Sequence, residues 1–150
     1  MTQAYTNRFT EVVSLTGAVY PQTQGAGTYT YGYASAANFQ RGAAILLVGE
    51  MAGGSTLDLE LFQATDAAGT DAKAIGTGKA ITQLTAAGGD GNDAVLIELR
   101  TEELDVDGGF SFVSAVVTVG VANVTFALLG LGTVANYVPV PTTNWTEVVD

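Results

Sequence analysis

The sequence contains no histidine and no cysteine. Their absence removes the commonest general base, the commonest zinc and iron ligand, and every thiolate nucleophile, disulfide and sulfur–metal site. Basic residues are scarce too: five Lys and Arg against fifteen Asp and Glu give a net charge of −10. Those five, Arg8, Arg41, Lys73, Lys79 and Arg100, are scattered along the chain. Nucleic acid and anionic membrane surfaces, which need a basic face, are therefore not expected partners. Charged residues amount to 13% of the chain, about half the share usual in a soluble domain. Gly, Ala, Thr, Ser and Asn must then cover much of the surface. Short side chains lose little entropy when packed against a neighbour, which suits an assembly subunit.

Residues 108–145 contain no charged side chain. Gly120, Gly130, Gly132, Pro139 and Pro141 interrupt that stretch, and its apolar residues alternate at period two. A spanning helix needs about 20 dominantly apolar residues in one run, so two or three buried strands are the expected reading. At the other end, Met1 to Arg8 lacks the basic-then-apolar pattern of a secretory signal.

What is present is strand signal. The 150 residues form one domain large enough to bury a core. Short runs rich in β-branched and aromatic residues recur between glycine-rich turns, as in an antiparallel β-sandwich or jelly-roll-like barrel of eight or nine strands. The candidate segments from which those eight or nine strands are drawn are Phe9–Leu15, Thr28–Tyr33, Ala43–Val48, Ser55–Gln63, Ala72–Ile75, Lys79–Leu84, Ala94–Arg100, Phe110–Val119, Val121–Leu129 and Val134–Val138. Ala43–Val48 is continuously apolar and reads as a strand buried on both faces. In Ser55–Gln63, Leu57, Leu59 and Leu61 point one way while Asp58, Glu60 and Phe62 point the other. Thr101–Leu104 reads as a single helical turn capped by Thr101. Residues 1–7 and 139–150 read as tails flanking a domain at 8–138, with Pro139 and Pro141 ending strand pairing.

The surviving chemistry is that of carboxylates. Asp58 and Glu60 lie two apart on one strand face, and Glu98 stands at the same spacing from Arg100. A glycosidase needs two carboxyl groups facing each other across a cleft, roughly 5–9 Å apart. In-line carboxylates on an exposed strand read instead as a solvated face, and no catalytic residue is expected. Gly88-Gly-Asp-Gly-Asn-Asp-Ala-Val-Leu96 matches one copy of a calcium-binding nonapeptide. That motif works by stacking repeats, and a second copy is lacking. Asp90, Asn92 and Asp93 are thus the one candidate calcium set, set against a plain hairpin loop. Asp105-Val-Asp107-Gly108 starts like a calcium loop but lacks the later Glu. Gly76-Thr-Gly78-Lys79 lacks the spacing of a phosphate loop. Tyr29, Tyr31 and Tyr33 share a strand face, favouring core packing over a sugar- or protein-contact stripe.

From Ser55 onward the chain resembles a family of small head proteins encoded beside the major capsid protein in tailed bacteriophages and prophages. The resemblance is carried by Leu57-Asp-Leu-Glu-Leu-Phe-Gln-Ala-Thr-Asp66, Gly78-Lys-Ala-Ile-Thr-Gln-Leu-Thr85, Glu98-Leu-Arg-Thr-Glu-Glu-Leu104 and Phe112-Val-Ser-Ala-Val-Val-Thr-Val-Gly120. A basic residue expected near Ser111 or Ser114 is missing here, so charge pairing to a capsid through that strand is not implied. The resemblance implies a decoration or cement protein on the capsid exterior, with the major capsid protein as partner and a homotrimer as the oligomer. Tyr5, Phe9, Tyr137, Trp145 and Val148, in or near the tails, are the expected anchors across neighbouring subunits. Two other classes stay open: a tail-tube or head–tail joining subunit, and a carbohydrate-binding sandwich using the tyrosine stripe.

Overall fold

A computed structural model of the chain describes residues 8–135. A four-residue helix, α1 (Phe9–Val12), leads into β1 (Val13–Gln24), β2 (Gly27–Thr30), β3 (Ala34–Ser35), β4 (Phe39–Met51) and β5 (Thr56–Ala64). There follow β6 (Lys73–Ala80), β7 (Leu84–Thr85), β8 (Ala94–Arg100), β9 (Phe112–Gly120) and β10 (Val124–Ala135), with 3₁₀ turns at Ala86–Gly88 and Thr101–Glu103. Among the described residues no helix is long and apolar enough to cross a membrane.

The strands form two antiparallel sheets. Sheet A has the order β1-β10-β4-β8, and sheet B the order β2-β9-β5-β6. β3 continues the line of β2 along β9, and β7 continues that of β6 along β5. Counting each broken strand once leaves eight, ordered 1-8-3-6 in one sheet and 2-7-4-5 in the other. This is a jelly roll: a long two-stranded ribbon, first strand against last, rolled so that successive pairs fall in alternate sheets.

Leu57, Leu59 and Leu61 of β5 point inward, as their alternation with Asp58, Glu60 and Phe62 requires. They meet Val117 and Val119 of β9, with Leu46 and Val48 of β4, Ile97 and Leu99 of β8, and Val124, Phe126 and Leu128 of β10 completing the core. Ten residues of β4 pair with β10, with one register shift between Val124 and Phe126, and seven pair with β8, which makes β4 and β10 the spine of sheet A.

Several sequence expectations are corrected. Residues 9–12 are helical because Glu11 reaches back to the Arg8 N–H at 2.9 Å and closes a turn, so the first strand begins at Val13. It runs on to Gln24, through Gly17 and Pro21, which hid it. The cap of the 101–103 turn is Arg100, whose N–H donates to Glu103 at 3.2 Å, while the Thr101 hydroxyl donates to the Gln40 carbonyl. Residues 73–80 form one strand across Gly76 and Gly78, leaving only Leu84–Thr85 beyond it. Val121 belongs to a turn: it is left-handed (φ 68°) and 78% exposed, so β10 starts at Val124. Residues 124–135 are a single strand, and the rest of the expected strand at 134–138 lies outside the described residues. Most consequential, the Ala43–Val48 run is buried on one face only. Leu47 is 44% exposed.

Three carboxylates brace the loops at the end of the barrel where β1 enters. Asp66 accepts from the Thr70 N–H (3.0 Å) and hydroxyl (2.7 Å) and from the Ala68 N–H (2.9 Å), and these bonds hold its carboxyl below the usual range. Lys73, bonded to Asp105 at 2.6 Å, lowers that carboxyl, helped by the Gly108 N–H. Lys79 does the same for Glu103, helped by the Arg100 N–H. A carboxylate whose folded pKa is depressed stabilises the fold above its unfolded pKa and loses that contribution as pH falls through the folded value. The melting temperature is therefore expected to drop progressively below about pH 4. Asp66→Asn should flatten the decline in a pH series followed by circular dichroism.

Candidate interaction surface

The outward faces of the two sheets differ in chemistry. Residues directly opposite in an antiparallel ladder share a face, so the register gives each face row by row. On sheet B the rows include Thr28–Thr118–Asp58 and Thr30–Val116–Glu60–Ala80, followed by Ser114–Phe62–Ala74. The Asp58 carboxylate accepts from Gln83 at 2.7 Å, and Thr28 and Thr118 exchange a hydroxyl bond at 3.3 Å. This is an ordinary solvated face, and the Asp58–Glu60 pair belongs to it.

On sheet A one row runs Ala18–Leu129–Ile45–Leu96 across all four strands. The next runs Leu15–Leu131–Ala43–Glu98, and beyond the first lies Ala127–Leu47–Ala94. Leu47 and Leu96 are 44% and 55% exposed. Ile45, Leu129, Leu131, Ala43 and Ala127 are half-buried, Ala18 and Ala94 are exposed, and Leu15 is buried, at 6% exposure. Glu98, at the edge, is the only charge in these three rows. Arg41 and Arg100, paired across β4 and β8, bound the face at one end. Arg100 reaches Glu102 at 3.4 Å and not Glu98. A contiguous apolar face among the described residues is the kind of feature that interaction sites present. Sequence reading missed it because an apolar run in β4 looks the same whether its second face meets core or partner.

The inner face of sheet A carries a second feature. Gly17, Gly130, Gly42 and Gly132 replace the large residues found farther along β10 and β4. A half-open cleft of about 400 Å³ results, walled on the far side by Tyr31, Tyr33, Val113, Ala115 and Leu61. Tyr31 sets its ring edge-on to Phe126, with centroids 6.4 Å apart. Its hydroxyl is buried and makes no hydrogen bond of ordinary geometry. Burial raises the phenol above its ordinary value, the neighbouring Tyr29 adds to this, and Gln22 offsets part of it. Tyr29 donates to the Gly25 carbonyl at 3.0 Å. With Tyr29 and Tyr31 packed against the core, the tyrosine stripe offers no exposed platform for stacking a sugar. No atom lies within 4 Å of where a Gly17 Cβ would stand, and its backbone is not left-handed. Gly17→Val should therefore fill part of the cleft and raise stability by about 0.5–2 kcal/mol, readable as a higher melting temperature. A lower one would mean that the cleft holds another segment.

Around the candidate calcium set, the Asp90 carboxylate turns back to accept the Thr85 N–H at 2.7 Å. Asn92 takes the left-handed conformation and gives its N–H to the Gly49 carbonyl. Asp93 joins the strand ladder, its carbonyl accepting from the Val48 N–H at 2.8 Å. Among the described residues no three metal-ligating carboxylates gather. Of the expected anchors, Phe9 is 60% exposed on α1, while Tyr5, Tyr137, Trp145 and Val148 lie outside the described residues.

No protein-family model and no curated protein matches the sequence. Among solved structures, the chain is similar to one of infectious bursal disease virus Gx strain, at 14% identity and a TM-score of 0.41, over 85% of this chain and 34% of that one. It is similar to another of the Gt strain, at 12% identity and a TM-score of 0.43, over 85% and 33% of the two chains. The chain thus spans about a third of the length of those proteins, and a likeness this shallow carries nothing about function.

Proposed function

We propose that this chain is a structural virion protein that decorates the outer surface of a tailed-phage capsid, docking through the outward face of sheet A. The observation that carries the reading is the contrast between the two sheets: one outer face threonine-rich and acidic, the other apolar across four strands. A lone soluble domain gains nothing from such a face, and a shell subunit needs one. The virion setting comes from the resemblance to phage head proteins, and the jelly roll is an architecture that capsid domains use among others. The protein does no chemistry and needs no cofactor: the carboxylates described hold loops or meet solvent. The expected tail at 139–150 serves as an additional tether, Trp145 among its residues. Bridging neighbouring capsid subunits would stabilise the shell by burying surface on both, and repetition over many sites multiplies the effect.

The test is electron microscopy of capsids, stripped of this protein, before and after adding it back. The expected result is new density on the shell exterior, oriented with sheet A inward. Absence of binding, or density confined to the tail or the head–tail joint, would overturn the reading.

A further inference from the structure

A jelly roll leaves four sheet edges, and an edge is a row of unpaired main-chain donors and acceptors that must be blunted or used. Three are blunted here. β1 carries two register shifts and Pro21. The β2/β3 edge is interrupted at residues 31–33, and the β6/β7 edge at residues 81–83, with left-handed Gly76 and Gly78 within β6. The fourth edge, β8, is different. It pairs with β4 without a slip from Ala94↔Leu47 to Arg100↔Arg41 and contains no proline and no glycine.

The side of β8 that faces outward follows from one bond. The Val48 N–H donates to the Asp93 carbonyl, so Val95, Ile97 and Leu99 also turn their main-chain groups to β4. Ala94, Leu96, Glu98 and Arg100 turn theirs to the open edge. Glu103 takes the Arg100 N–H. The N–H groups of Ala94, Leu96 and Glu98 meet no partner among the described residues.

We infer that β8 is a self-association edge, pairing antiparallel with β8 of a second copy about a two-fold axis. The occupant is argued from charge and from symmetry. A chain of net charge −10 repels its copies generally, but residues 94–100 hold one Glu and one Arg and are neutral as a set. An antiparallel pairing of identical strands is isologous and closes at two copies. Parity then fixes the geometry. The edge-facing residues are all even-numbered, so each meets an even-numbered residue of the partner copy, and those residues lie on the outward face. Both apolar faces of sheet A therefore fall on the same side, merged into one eight-stranded surface. The contact itself is small, well under the roughly 1,600 Å² of a stable interface, so it should be weak in solution and favoured where copies are concentrated.

The experiment is sedimentation equilibrium of the full chain up to about 1 mM, a range that detects association as weak as roughly 4 kcal/mol. A concentration-dependent monomer–dimer equilibrium is expected, strengthening with salt as the net charge is screened. Leu96→Pro removes one edge-facing N–H and none that β4 uses, so it should abolish the dimer at an unchanged melting temperature. Leu96→Lys, which keeps the backbone free, should weaken it at least tenfold. A wild type that stays monomeric at about 1 mM, or any oligomer, the expected trimer included, that is indifferent to both substitutions, overturns the inference.

Discussion

Phe126→Ala is expected to lower stability by about 3–5 kcal/mol, the largest effect of any single truncation considered for this fold. Phe126 is 1% exposed and sits in β10, with Gln22 of β1 opposite it on one side and Val48 of β4 on the other. Its ring also receives the edge of Tyr31, a contact worth roughly 0.5–1.5 kcal/mol beyond area burial. The site cannot collapse cheaply. β10 is hydrogen-bonded on both sides, to β1 and to β4, and sheet B stands on β9 and β5, whose own ladder runs nine residues without a slip. The cavity left behind would therefore persist. At about 2–4 °C per kcal/mol for a domain of this size, the melting temperature should fall by roughly 6–20 °C, measured by calorimetry or denaturant titration. A loss of under about 1 kcal/mol would mean that β10 is not the spine described.

The legible part of this fold was what local periodicity encodes. Leu57, Leu59 and Leu61 alternate with Asp58, Glu60 and Phe62, and the sheet obeys. So do Val95, Ile97 and Leu99 in β8, and the spacing of glycine turns pointed to a sandwich or jelly roll. Periodicity failed where its premise did. β1 continues through Gly17 and Pro21 because edge position and bulges tolerate them. Val121 is β-branched yet left-handed, held in a tight turn before Val124. The candidate surface was illegible for a deeper reason. Ala43–Val48 reads as a doubly buried strand, since composition reports only that both faces are apolar. Which face has core behind it depends on β9 and β5 covering one side, a long-range fact. The same holds for β8: its sequence contains nothing that says it is an edge. At Asp90, Asn92 and Asp93 the sequence shows a motif match and says nothing of the local bonding: the Asp90 carboxylate accepts the Thr85 N–H, and Asn92 is left-handed.

The contrast between faces leads to the second large effect. Ala18→Asp combined with Leu47→Asp is expected to reduce capsid binding by at least about thirtyfold while leaving the fold intact. Both side chains are exposed on the outward face of sheet A, one on β1 and one on β4, so unlike Phe126 they can become charged without entering the core. On docking, each carboxylate would be stripped of water against an apolar partner with no cation nearby. An uncompensated buried polar group costs about 1–3 kcal/mol even by conservative mutational measures, and a charge costs more. Two such penalties total about 2–6 kcal/mol, which at 1.4 kcal/mol per factor of ten is roughly one and a half to four orders of magnitude. Neither substituted residue lies in β8, although Leu47 stands opposite Ala94, so the β8 main chain stays free to pair. In salt that screens the two added charges per copy, a variant that dimerises but does not bind capsids would separate the two surfaces. Glu60→Gln, on the opposite face, serves as the matched control and should bind like the wild type in capsid co-sedimentation. If the double variant binds equally well, the apolar face of sheet A is not the docking surface, whatever else the protein does on a particle.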